Sequence, residues 1–91
     1  MWDRDETKRQ ANLAKHGVDF ADVYDFDWEN AEHAIDTRFD YGETRIVTLG
    51  NLYGRLHAVT WTLRGDITRI INFRKANARE QKSYRIARTT H

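Results

Sequence analysis

The stretch Leu56-His57-Ala58-Val59-Thr60-Trp61-Thr62-Leu63-Arg64-Gly65-Asp66-Ile67-Thr68-Arg69-Ile70-Ile71-Asn72-Phe73 decides the fold class. Two runs rich in β-branched and aromatic residues flank Gly65-Asp66, a pair suited to a tight two-residue turn. They read as strands over 56–63 and 67–73 of one hairpin. Arg64 then faces Ile67, Thr62 opposes Arg69, Trp61 opposes Ile70, Val59 opposes Asn72 and His57 opposes Arg74. Side chains alternate between faces along a strand. On this register Thr62, Arg69 and Ile71 share one face, and Val59, Trp61, Ile70 and Arg74 share the other. Neither face is purely apolar. The pattern predicts helices over one side and a basic, partly aromatic platform on the other.

Working outward, Arg45 to Leu49 is β-branched and apolar and reads as a strand. Gly50-Asn51-Leu52-Tyr53-Gly54 reads as the hairpin loop that follows it. Residues 32–37 are a further short strand. Before these, residues 4–16 read as a helix with an Asp3–Glu6 capping box, Gly17 at C′, and a thin apolar face of Ala11, Leu13 and Ala14. Asp19 caps a second short helix over Phe20 to Phe26, with Phe20, Val23 and Tyr24 inward. The tail from Asn77 to Arg88 is a helix with Glu80 as the capping-box partner of Asn77. The sum is one α+β domain over residues 1–91: two N-terminal helices, an antiparallel β-meander of three to four strands and a C-terminal helix.

Among the 91 residues, 15 are Lys or Arg and 14 are Asp or Glu, for a net charge of +1. The near-zero sum hides a split. Residues 1–43 carry 5 basic against 12 acidic side chains, whereas residues 44–91 carry 10 against 2. Such a split predicts a region facing a polyanion and another facing something else. The chain has no cysteine, hence no disulfide framework, which fits a reducing cytoplasm. Its acidic opening has no apolar run of a secretion signal, and no segment approaches membrane-spanning length, so no membrane is expected.

Eight arginines but two lysines fall in residues 45–91. A guanidinium grips phosphate bidentately, so this choice favours phosphate recognition; the alternative is protection of sheet edges. Lys8, Asn12, Lys15 and His16 have helical spacing and lie along one side of the first helix. His16 either complements the helix dipole or serves acid–base chemistry near neutrality. No metal-ligand spacing, phosphate-binding glycine loop or serine elbow is present, and no metal or cofactor is expected. Arg64-Gly65-Asp66 is read only as a turn.

Taken together, these segments resemble a known family. Lys8-x3-Asn12-x2-Lys15-His16-Gly17-Val18-x-Phe20 resembles the opening of BrnT-type toxins. So do Asp40-Tyr41-Gly42-Glu43-x-Arg45, then Gly50, then Thr62-x-Arg64-Gly65. Arg69-Ile70-Ile71-x-Phe73-Arg74-Lys75-Ala76, with Glu80 and Tyr84, matches the family's ending. The resemblance implies a RelE-like fold and a ribonuclease that stops translation. It also implies a cognate BrnA-like antitoxin with a ribbon-helix-helix DNA-binding part, through which alone promoter DNA is reached. Where the family carries Ser-Ala, this chain has Asn72-Phe73.

RNA carries its own nucleophile, the 2′-hydroxyl, so metal-independent cleavage by internal phosphoryl transfer is expected. That reaction needs a base, an acid and cations around the phosphorane. Arg64, Arg69 and Arg74 are the expected cations. His16 or Lys15 is the acid or base. Lys8, Asn12, Arg45 and Lys75 are expected to hold RNA. Tyr41, Tyr53 or Trp61 is the candidate for stacking a base, and Glu80 is read as a cap.

Overall fold

The computed structural model describes residues 2–3, 5–37 and 42–89. Five strands form one sheet: β1 (Trp2–Asp3), β2 (Glu32–Ile35), β3 (Ile46–Leu52), β4 (Arg55–Arg64) and β5 (Ile67–Lys75), in the spatial order β1-β5-β4-β3-β2. The expected meander is present as β2 to β5, each antiparallel to the next. β1 adds a two-residue parallel pairing, Trp2 beside Thr68 and Asp3 beside Arg69, for which the sequence holds no signal. The helices are α1 (Glu6–His16) and α2 (Ala78–Thr89). No helix among the described residues is long and apolar enough to cross a membrane.

Only one of the two expected N-terminal helices is an α-helix. Phe20–Tyr24 is a five-residue 3-10 helix capped by Asp19. Its apolar side chains explain the tighter winding. Phe20, Val23 and Phe26 recur every third residue and are all buried, which suits a helix of three residues per turn. Tyr24, expected inward, is 69% exposed because it falls off that stripe. α1 also starts later than expected. Its N-cap is Asp5, whose carboxylate accepts from the N–H groups of Thr7 (2.8 Å) and Lys8 (3.3 Å), in place of Asp3.

The expected loop Gly50–Gly54 is mostly strand. β3 runs through Leu52, and the turn is only Tyr53-Gly54, both at positive φ. Gly50 serves the core instead. A Cβ there would lie 2.6 Å from Phe26 Cζ, so only glycine lets that ring lie on the strand.

A β-bulge is the main departure from the expected register. Arg64↔Ile67, Thr62↔Arg69 and Trp61↔Ile70 pair as read from the turn. Beyond Trp61 the pairing shifts by one, so Thr60 meets Asn72, Val59 meets Phe73 and His57 meets Lys75. Ile71 is the extra residue. A bulge resets the alternation of side chains along its strand. Ile70 and Phe73, three apart, therefore both point into the core, where each is at most 1% exposed. Arg74 consequently moves to the face of Arg69, not opposite it as the unbroken register implied.

The core lies on one face of the sheet, where Val59, Ile70, Phe73 and Leu52 meet Val18, Phe20, Val23 and Phe26. Each such side chain contributes about 1.5–3 kcal/mol on burial. Trp61 packs against this cluster, edge-on to Trp28, and donates its Nε1–H to Thr48 Oγ1 (2.8 Å). It is half-buried against the core.

Candidate functional site

α1 docks on the outer edge of β5 by a polar contact. Ala11, Leu13 and Ala14, the expected apolar face, are exposed; the buried residue of α1 is Asn12. Its Nδ2 donates to Phe73 O (2.6 Å) and Val18 O (2.9 Å), and its Oδ1 accepts from the Phe73 N–H (3.1 Å). The amide thus pairs with β5 as a neighbouring strand would, satisfying edge groups that otherwise carry a desolvation cost. Asn12, expected to hold RNA, spends its polar atoms on this docking.

The docking sets the other side chains of α1 beside the sheet face that bears no apolar core. Between them lies a hollow of about 350 Å³ lined by Lys8, Lys15 and His16 from α1, and Arg45, Ile71 and Asn72 from the sheet, with Ala11 and Asn12 completing the wall. Four of these residues are basic and none is acidic. Gly17 ends α1 in the left-handed conformation (φ 69°), its N–H on Leu13 O, which fixes where His16 stands.

His16 has its pKa lowered, first by burial and then by the charges of Lys15 and Arg74. The imidazole is thereby held neutral at neutral pH, the form that can accept a proton. Asn72 Nδ2 stands 3.5 Å from His16 Nε2, at the outer limit of a hydrogen bond. Ile71 and Asn72 were not among the expected site residues. The signal for Asn72 was its departure from the serine expected there on the family's pattern.

The arginines divide. Arg45 lines the hollow, and Arg69 lies on β5 opposite Thr62 of β4. Arg64 lies at the hairpin tip, 3.4 Å from Glu43, and Arg45 is 3.8 Å from the same carboxylate. The Arg64 hydrogen bond, with Thr62 and both charges, holds Glu43 below the usual carboxylate range despite partial desolvation. Arg74 shares the face of Arg69 but is clamped to Glu80, Nη1 to Oε1 at 2.7 Å and Nη2 to Oε2 at 2.9 Å. Glu80 also exchanges bonds with Asn77 as the expected capping box, 2.9 and 3.0 Å. Lys75 points elsewhere, into a separate hollow with Tyr53, Arg55 and His57. Tyr41 and His91 lie outside the described residues. Among the described residues, no three His, Cys, Asp or Glu side chains come together as metal ligands.

Residues 2–80 match the family model of the ribonuclease toxin BrnT of type II toxin–antitoxin systems. No curated protein matches the chain significantly.

Proposed function

Because the chain belongs to the BrnT family of ribonuclease toxins of type II toxin–antitoxin systems, we propose that it cuts RNA in the hollow between α1 and β5, without a metal ion. The observation that carries this reading is a neutral-biased imidazole among Lys8, Lys15 and Arg45, with no carboxylate in the wall. The charged side chains that a scissile phosphate meets there are all cations. His16 Nε2 takes the proton from the ribose 2′-hydroxyl, whose oxygen attacks the adjacent phosphorus. The bond to the 5′-oxygen breaks, and that oxygen takes a proton from Lys15. The products are a 2′,3′-cyclic phosphate and a 5′-hydroxyl. Lys8, Arg45 and Arg69 stabilise the charge that builds on the phosphorane. Arg64 guides RNA from the hairpin tip, and Arg74 acts chiefly on the pKa of His16.

The cut stops translation in the cytoplasm. A cognate BrnA-like antitoxin silences the toxin, and its ribbon-helix-helix part brings the pair to promoter DNA. The described acidic side chains of the first half, none of which lines the hollow, offer that partner charge of opposite sign. Labelled RNA incubated with pure protein in EDTA tests the chemistry. Fragments bearing cyclic-phosphate ends are expected to accumulate with time. Bound but uncut RNA would instead mark a non-catalytic binding module.

A further inference from the structure

A second hollow, of about 420 Å³, opens at the opposite side of the α1 C-terminus. Its floor is Val18, Leu52 and His57, all buried, and its rim is Tyr53, Arg55, Lys75 and Asp22. An apolar floor with a few convergent polar groups is the usual make-up of a small-ligand site. Three features give the ligand its chemistry. His57 is 5% exposed, and its Nδ1 stands 2.8 Å from Arg55 O. A carbonyl can only accept, so Nδ1 carries a proton, and in the neutral ring Nε2 is the acceptor. Tyr53 is 72% exposed, yet its hydroxyl donates to Asp25 Oδ2 (2.6 Å) and lies 3.3 Å from Asp22 Oδ1, which pins the ring. Arg55 and Lys75 outnumber the carboxylate of Asp22 at the rim and leave it net positive.

A flat aromatic platform, an acceptor at the back and two cations at the edge match one chemical class, a nucleotide. We propose that this hollow is a flanking-nucleotide subsite for the RNA. The base stacks on Tyr53, its exocyclic amine donates to His57 Nε2, and its phosphate rests on Arg55 and Lys75. Continuity supports the assignment. Lys15 and His16 line the first hollow, and the next two residues, Gly17 and Val18, line the second. On β5, Asn72 lines the first and Lys75 the second, so one strand passing the end of α1 reaches both.

The inference rests on the proposed cleavage site, and one titration separates the two. A short single-stranded 2′-O-methyl oligoribonucleotide, blocked against cleavage, is added while backbone amide shifts of the protein are followed by NMR. Shifts are expected at Gly17, Tyr53, Gly54 and Lys75 as well as at Lys15, His16 and Asn72. Tyr53→Asn removes the ring but keeps a residue that accepts the left-handed turn, and Lys75→Ala removes one cation. Each is expected to weaken binding about tenfold, to abolish the first group of shifts, and to raise KM on cleavable RNA with kcat unchanged. Shifts confined to the His16 hollow, with both variants binding as tightly as the parent, overturn the subsite alone. Shifts confined to the Tyr53 hollow uphold it and overturn the cleavage site. No shifts anywhere overturn both.

Discussion

α1 and α2 are almost equal in length, 11 and 12 residues, and are held in opposite ways. α1 buries one amide that makes three hydrogen bonds to backbone deep in the molecule. α2 buries no residue. It is held by the Arg74–Glu80 clamp and by Tyr84 and Arg88 reaching Asn30 O at 3.0 and 3.2 Å. The helix that carries the proposed reactive side chains is locked by directional bonds, so Lys8, Lys15 and His16 stand in one place. The other is fastened by a few polar contacts along its length and can loosen without disturbing them.

Removing the lock should have the largest effect on the fold. Asn12→Ala leaves the Phe73 N–H and C=O without partners at the edge of β5. Each orphaned group costs about 1–3 kcal/mol, so a loss of roughly 3 kcal/mol is expected in urea unfolding. A loss below about 1 kcal/mol would mean that water satisfies that edge, and that α1 is no better anchored than α2.

Loosening α2 should cost less. Glu80→Gln removes the ionic half of the clamp while keeping a capping side chain, for about 1 kcal/mol at most. Amide exchange in α2 is expected to quicken and RNA cleavage to stay within about twofold. Arg74→Gln breaks the same clamp but also withdraws a charge that lowers the His16 pKa, so it alone should change the pH dependence of cleavage. Equal pH profiles for the two variants would reduce Arg74 to a tether.

Much of this contrast could be read from residue types, and part could not. The Asn77–Glu80 box and the Gly65-Asp66 turn are local, and their side chains act within three residues, so spacing alone revealed them. The clustering of Lys8, Lys15 and His16 followed from helical periodicity. The dual use of Asn12 did not, because its partner is 61 positions away and a buried amide looks like any surface amide in sequence. The bulge at Ile71 was hidden for a related reason. Ile70-Ile71 fits an unbroken strand as well as a bulged one, and only the need to bury both Ile70 and Phe73 decides between them. That choice is what carries Arg74 onto the face of Arg69. Phe73 itself, where the resemblance leads one to expect alanine, fills the core beside Phe26 with ring centroids 5.9 Å apart.

The smallest effect is a pH dependence of stability. Above the ordinary histidine pKa of 6.5, His16 is neutral folded or unfolded and contributes nothing to the slope. Below 6.5 the unfolded chain takes up the proton first, because burial and the charges of Lys15 and Arg74 oppose it in the fold. Stability should therefore fall on acidification, and His16→Gln should flatten that part of the curve. An unchanged slope would mean that the imidazole is as solvated as in the free chain.

The location of the cut is tested most directly by the rate at which His16→Ala cleaves RNA, with circular dichroism and the unfolding midpoint confirming an intact fold. A positioned base contributes about 10²- to 10⁴-fold, so kcat/KM should drop at least a hundredfold, and the acid limb of its pH profile should vanish. Cleavage at the parental rate with that limb still in place would move the chemistry away from α1 altogether.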